Sequence, residues 1–188
     1  MKKGGIVIIV ILAIIGIFVL SIFGSYNSLV ALDESVNTQW ANVESKLQRR
    51  FDLIPNLVES VKGAMAQEKE VFTAIADARA KMAGAQSTSD KVAASNQLEG
   101  ALGRLLVVME NYPELKSSQN VTALMDELSG TENRISVERD RYNEAVKNYN
   151  SAIRRFPKNI MAGMFGFEKR PYFQATEGAD KVPEVKFD

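Results

Sequence analysis

The stretch QRRFDLIPNLV, residues 48–58, sets the first proline of the chain inside a long helical pattern. Leu29, Leu32, Val36, Trp40, Val43, Leu47, Phe51, Ile54, Val58, Val61 and Met65 follow one another in ten steps over 36 residues, or 3.6 per step. That is the period of an α-helix. Pro55 falls mid-stripe without shifting its phase. It removes a backbone donor, crowds the carbonyl of Phe51 and disfavours helical geometry at Ile54, at a cost of about 3 kcal/mol in a helix interior. The helix therefore kinks here, or ends and restarts with Asp52 as cap and Pro55 in the first turn. The phase alone does not choose between them.

Working outward toward the N-terminus, Gly4 to Phe23 carries no charge over twenty residues, about 30 Å of helix and the thickness of a bilayer's hydrocarbon core. A cleaved signal peptide has a shorter apolar core and a small-x-small site, whereas Ile22-Phe23-Gly24-Ser25 offers none. Residues 4–24 are expected to be a transmembrane helix retained as an anchor in the lipid bilayer. Lys2 and Lys3 precede this span and the first cation after it is Lys46, so residues 1–3 are expected in the cytoplasm and the bulk of the chain outside. Tyr26 suits the membrane interface. Trp40, 17 residues and about 25 Å beyond Phe23 by helix rise, suits a protein core.

Toward the C-terminus, the pattern continues through Met65, Phe72 and Ile75 into an alanine-rich tract, and residues 84–90, GAQSTSD, form the first clear loop, with Ser89 or Asp90 as a cap. Leu98, Leu102, Leu105, Met109 and Tyr112 make the next stripe, which Pro113 ends. A last helix is expected over about 119–156. In it Leu128, Ile135, Tyr142, Tyr149 and Phe156 recur every seven residues, a seam of helices packed at shallow angles. Gly130 interrupts that helix, and Ser129 with Glu132 matches a capping box, but the seam keeps its phase, which favours continuity.

Composition removes whole classes of function. Lys plus Arg and Asp plus Glu both number 23, which leaves no basic surplus for nucleic acid. Cysteine and histidine are both absent. With them go disulfides, thiolate chemistry, a lipid-bearing cysteine, His-based triads and the Glu-x-x-His ligand sets of helical di-iron proteins. The chain shows no EF-hand loop, no Gly-rich phosphate loop and no GxSxG elbow. No enzyme activity, metal or cofactor is expected.

QRRFDLIPNLVESVKG, ENYPELK, GTENRI, RYNEAVKNYN, FPKNIMAGMFGF and the closing VPEVKF, in this order behind an apolar N-terminus, resemble the LemA family of bacterial membrane proteins. The resemblance covers nearly the whole chain. It implies an all-α fold, an antiparallel four-helix bundle with long helices over 25–156, attached to the bacterial plasma membrane, and it implies no activity. With four helices running out and back in turn, Phe156 ends near the bilayer; an unbroken helix through Pro55 changes that parity. Residues 157–188 then form an aromatic strap and an extended tail.

Candidate interaction residues follow. Arg49, Arg50 and Asp52 beside Pro55 offer an anion or acidic-peptide site, against the simpler reading of local structure with arginine stems over apolar neighbours. Met161, Met164, Phe165 and Phe167, with Lys158, Lys169 and Arg170, suit a membrane surface or a partner's groove, against a strap packed across the bundle end. The charged run at 132–141 reads as a solvated face. The offset seam Leu124, Thr131, Glu138, Ala145 and Ala152 accepts another helix or fixes register through a buried polar contact at Glu138. Two functions fit: a scaffold or adaptor for other membrane or envelope proteins, with homo-oligomerisation along Ala13 and Gly16 or that seam, and a sensor whose ligand enters near Pro55 and which signals laterally to a partner.

Overall fold

A computed structural model describes residues 3–174; the side chains of residues 3–8, 14 and 17–20 lie outside that description. The architecture is all-α. Helix α1 spans Lys3–Lys62, α2 Lys69–Gly84, α3 Thr88–Met109, α4 Pro113–Lys116, α5 Gln119–Ala152 and α6 Lys158–Phe165. Among the described residues no helix is long and apolar enough to cross a membrane. The span expected over 4–24 falls partly on side chains outside the description, as do residues 175–188, which include VPEVKF.

Pro55 neither ends nor restarts α1, which runs through it as one helix. The magnitudes explain why: the proline costs about 3 kcal/mol, while each buried Ile, Leu or Val returns roughly 1.5–3 kcal/mol. Ile54, Leu57 and Val61 are all 2% exposed or less. The break lies at residues 63–68 instead, where Met65 donates to the Val61 carbonyl and Glu68 to that of Met65, both at 3.0 Å. Met65, Phe72 and Ile75 stay in phase across this turn, so periodicity conceals it. Among the described residues the long helices, α1, α2, α3 and α5, nevertheless number four.

The chain divides into two compact units, residues 1–41 with 141–172, and 42–140 with 173–188. The second unit is built from the C-terminal part of α1, from α2, α3 and α4, and from the N-terminal part of α5. Ile54, Leu57, Val61, Met65, Ile75, Leu98, Leu102, Leu105 and Leu128 form its core. In it α1 and α5 are antiparallel, since Asn120 meets Ser60 while Arg50 meets Glu132. Ser87, rather than Ser89 or Asp90, caps α3. Its hydroxyl accepts the Asp90 amide at 3.0 Å and donates to the Asp90 carboxylate at 2.6 Å, so Asp90 ties back to the cap through both its amide and its side chain. Helix α5 passes Gly130 without a break and ends at Ala152.

The first unit packs the remaining parts of α1 and α5 against α6. Its small core is Leu29, Ala152, Met161 and Ala162, with Ile22, Leu32, Ile153 and Phe167 against it. Trp40, expected in a core, is half-buried and lies edge-on to the buried Tyr142 at 5.3 Å. Phe156 drops out of the seven-residue seam: it lies past the end of α5 and is 77% exposed. Gly166 closes α6 in the left-handed region at φ 71°, where a side chain would be strained, and the following Phe167 amide reaches back to Ala162 at 3.0 Å.

Candidate functional site

Arg49, Arg50 and Asp52 are neighbours in sequence, but a helix turns each residue by about 100° from the last. The second unit accordingly sends them in different directions. Arg50 is 1% exposed. One guanidinium nitrogen donates to Glu132 at 2.9 Å, and another to the Ser95 carbonyl at 3.2 Å and to the Ser95 hydroxyl. Arg49 points outward and pairs with Glu127. Asp52 caps nothing; it accepts from Gln48 at 2.8 Å within the same helix. Lys46, Arg49, Asp52 and Arg134 line an open, polar cleft of about 310 Å³. On another face Pro55, Val58, Phe72 and Ile75 line a mainly apolar one of about 320 Å³, with the Arg79 guanidinium 4.4 Å over the Phe51 ring.

Arg50 has a signal in the sequence that the three-residue cluster obscures. Leu29, Val36, Val43, Arg50 and Leu57 fall every seven residues, and each is 2% exposed or less. A charge in that register must be buried. Asp33 stands in the companion register with Tyr26, Trp40, Leu47, Ile54 and Val61, and its partner is in the first unit. Arg170 grips Asp33 through both of its carboxylate oxygens, at 2.8 and 3.0 Å. Burial works against the Arg170 charge, but the Asp33 carboxylate more than offsets it and holds its pKa above the ordinary value.

The segment after α6 is fastened by the tyrosine seam. Asn150, 6% exposed, donates to the Arg170 carbonyl and accepts the Arg170 amide, both at 2.9 Å. Tyr142 donates to the Pro171 carbonyl at 2.8 Å. Burial raises the pKa of Tyr142, which the Arg170 charge opposes. Burial also raises that of Tyr149, reinforced by Asp33. In the second unit Phe173 is buried beneath Arg139, whose guanidinium is 4.2 Å from the ring centroid, and Asn96 donates to the Gln174 carbonyl at 3.1 Å.

The remaining candidates divide. Met161 is buried at 4%, Phe167 is half-buried, and Met164 and Phe165 are 70% and 55% exposed. Tyr26 holds Phe165 and Phe167 at ring-centroid distances of 4.8 and 5.9 Å. Glu138 is half-buried on the offset seam, where Thr131, Ala145 and Ala152 are buried. Among the described residues no group of three or more acidic side chains is placed to hold a metal ion.

The model of the LemA family matches residues 39–187. Magnetosome protein MamQ 2 of Paramagnetospirillum magneticum is 29% identical over 189 aligned residues, covering 87% of this chain and 70% of that protein. Magnetosome protein MamQ of Magnetospirillum gryphiswaldense is 26% identical with the same coverage. Protein LemA of Metamycoplasma hominis is 26% identical over 164 residues, covering 87% of this chain and 75% of that protein.

Proposed function

This chain belongs to the LemA family, and from that premise we propose that it is a non-enzymatic helical scaffold, anchored in the bacterial plasma membrane by residues 4–24, that gathers other envelope proteins. One observation carries the anchor. Ile9, Val10, Ile11 and Leu12 are each at least 50% exposed. Four successive residues sweep about 300° of a helix, so no single protein face explains them. Such all-round apolar exposure calls for a hydrocarbon surround. From Leu29 onward the same helix buries one stripe only, as a helix in a protein core does.

The scaffold reading rests on what the polar residues do. Arg50 and Asp33 are committed to internal partners. The clefts beside Arg49 and Pro55 are open, which favours a scaffold over a sensor that must enclose a ligand. Ala13 and Gly16 give the anchor a small-residue face for self-association. With Lys2 and Lys3 before the span and Lys46 the first cation after it, the bundle lies outside the cytoplasm.

Crosslinking in native membranes with identification of the adducts tests the reading. Reproducible adducts with other envelope proteins, or with a second copy, are expected. Exclusive recovery of monomer from the carbonate-washed membrane fraction would overturn the scaffold, and release of the chain by that wash would overturn the anchor.

A further inference from the structure

We propose that α6 and the turn before it form a second membrane contact, an interfacial foot that seats the first unit on an anionic lipid surface. The proposal rests on the anchor reading, because the lipid plane is set by where α1 emerges. Three independent observations support it.

The first is the division of α6 into two faces. Met161 and Ala162 are buried at 4% and 6%, while Ile160, Met164 and Phe165 are 45%, 70% and 55% exposed, and Phe156 just before them is 77% exposed. Ile160 and Met164, one turn apart, share an outer face, and Phe165 is exposed at the end of the helix against Tyr26; large apolar side chains left outside in this way, on a protein that buries the rest of its stripe, mark a contact surface. An eight-residue helix is too short to form this face alone in water. Here Gly166, Asn150 and the Arg170–Asp33 pair hold it ready-made.

The second is its level on α1. Ile22 and Leu29 join its core, Tyr26 lies tilted against Phe165, and Lys158 donates to the Ser28 hydroxyl at 2.7 Å. The apolar stretch ends at Phe23, itself 62% exposed. The foot is therefore fixed on the first turns of α1 past the apolar stretch, where an interface would fall. The third is charge: residues 154–174 hold Arg154, Arg155, Lys158, Lys169 and Arg170 against the single acid Glu168, and with Arg170 taken up by Asp33 the other four cations still outnumber it. Exposed aromatics and the exposed Met164, flanked by cations, fit the headgroup and upper acyl region of anionic lipid.

The chain has no cysteine, so a single one can be placed at will. Met164→Cys and, separately, Thr38→Cys carry an environment-sensitive fluorophore in the full chain, reconstituted in phosphatidylcholine vesicles with and without phosphatidylglycerol. Thr38 is exposed on α1, twelve residues and about 18 Å beyond Tyr26. Quenching by spin-labelled lipid is expected to be several-fold stronger at position 164 than at 38. Phosphatidylglycerol is expected to increase it, and an added Arg154→Glu, Arg155→Glu pair to abolish that increase. A label at 164 that stays aqueous while the chain resists a carbonate wash overturns the foot and leaves the anchor standing. Shielding that ignores lipid quenchers and grows with protein density assigns the face to a second copy and overturns the foot as well. Release of the chain by the wash overturns both readings.

Discussion

Arg50 fills a position that the surrounding seven-residue spacing reserves for an aliphatic side chain, and its cost depends on what remains when it is removed. A buried ion pair broken on one side typically costs 3–5 kcal/mol because a charge is left stranded. Glu132 is 37% exposed and can turn to water, so Arg50→Ala should cost about 3 kcal/mol, at the low end of that range. Arg50→Met refills the volume and should cost less than half as much. Urea unfolding followed by circular dichroism separates the two, and equal losses would show that the guanidinium bonds, and not the volume, hold the site. Tyr142 gives a pH dependence of definite sign. Its pKa is raised in the folded chain above 10.0, the ordinary value, by burial. The folded state therefore keeps its phenol proton where the unfolded state has lost it. The stability it contributes is complete below pH 10.0 and is lost as pH rises through the folded pKa. Tyr142→Phe should cost about 1 kcal/mol near neutrality through the lost bond to Pro171 and make the alkaline decline shallower. Trp40, the single tryptophan and the neighbour of Tyr142, reports it by fluorescence.

At the scale of elements, Pro55 is a deliberate cost inside α1. Pro55→Ala restores a donor for the Phe51 carbonyl and relieves crowding worth about 3 kcal/mol, less roughly 1 kcal/mol returned to the freer unfolded chain. A gain of about 2 kcal/mol in urea unfolding is expected; a loss would mean that the surrounding core is shaped to the proline. Asn150 works in the opposite sense, holding the segment after α6 by two backbone bonds. Asn150→Asp sets a carboxylate against the Arg170 carbonyl and should speed amide exchange across residues 167–172 by at least tenfold while α5 stays protected; unchanged exchange there would make the clamp incidental. These two elements also mark how far the sequence could be read. The stripe from Leu29 to Met65 was legible, and every member of it is buried or half-buried, because burial repeats with the helix. The turn at 63–68 was not, because the residues beyond it resume in phase. Arg49, Arg50 and Asp52 looked like one cluster because sequence proximity hides the angle between helix positions. The Asn150 clamp joins residues twenty apart with no pattern between them, and only the fold brings them together.

For the whole molecule, the proposed anchor makes the side of the membrane on which the helices stand the decisive property. Charge near the span is the physical determinant: cations resist translocation, so the flank that carries them stays in the cytoplasm. Lys2 and Lys3 lie on one side and the next cation, Lys46, is 23 residues beyond Phe23, outside the window of roughly 15–20 residues in which such charges act. The five cations around α6 are at least 130 residues from the proposed span in sequence and do not enter that balance. Thr38→Cys puts the only thiol of the chain on an exposed face of α1 past the span. In intact cells it should react with a membrane-impermeant maleimide as fully as it does after permeabilisation. Reaction only after permeabilisation would place the helices in the cytoplasm, reverse the orientation and turn the search for neighbours from the outer to the inner face. The flanking lysines decide between these outcomes, so Lys2→Glu with Lys3→Glu should lower the fraction labelled in intact cells if charge, and not the bundle's own export, sets the direction.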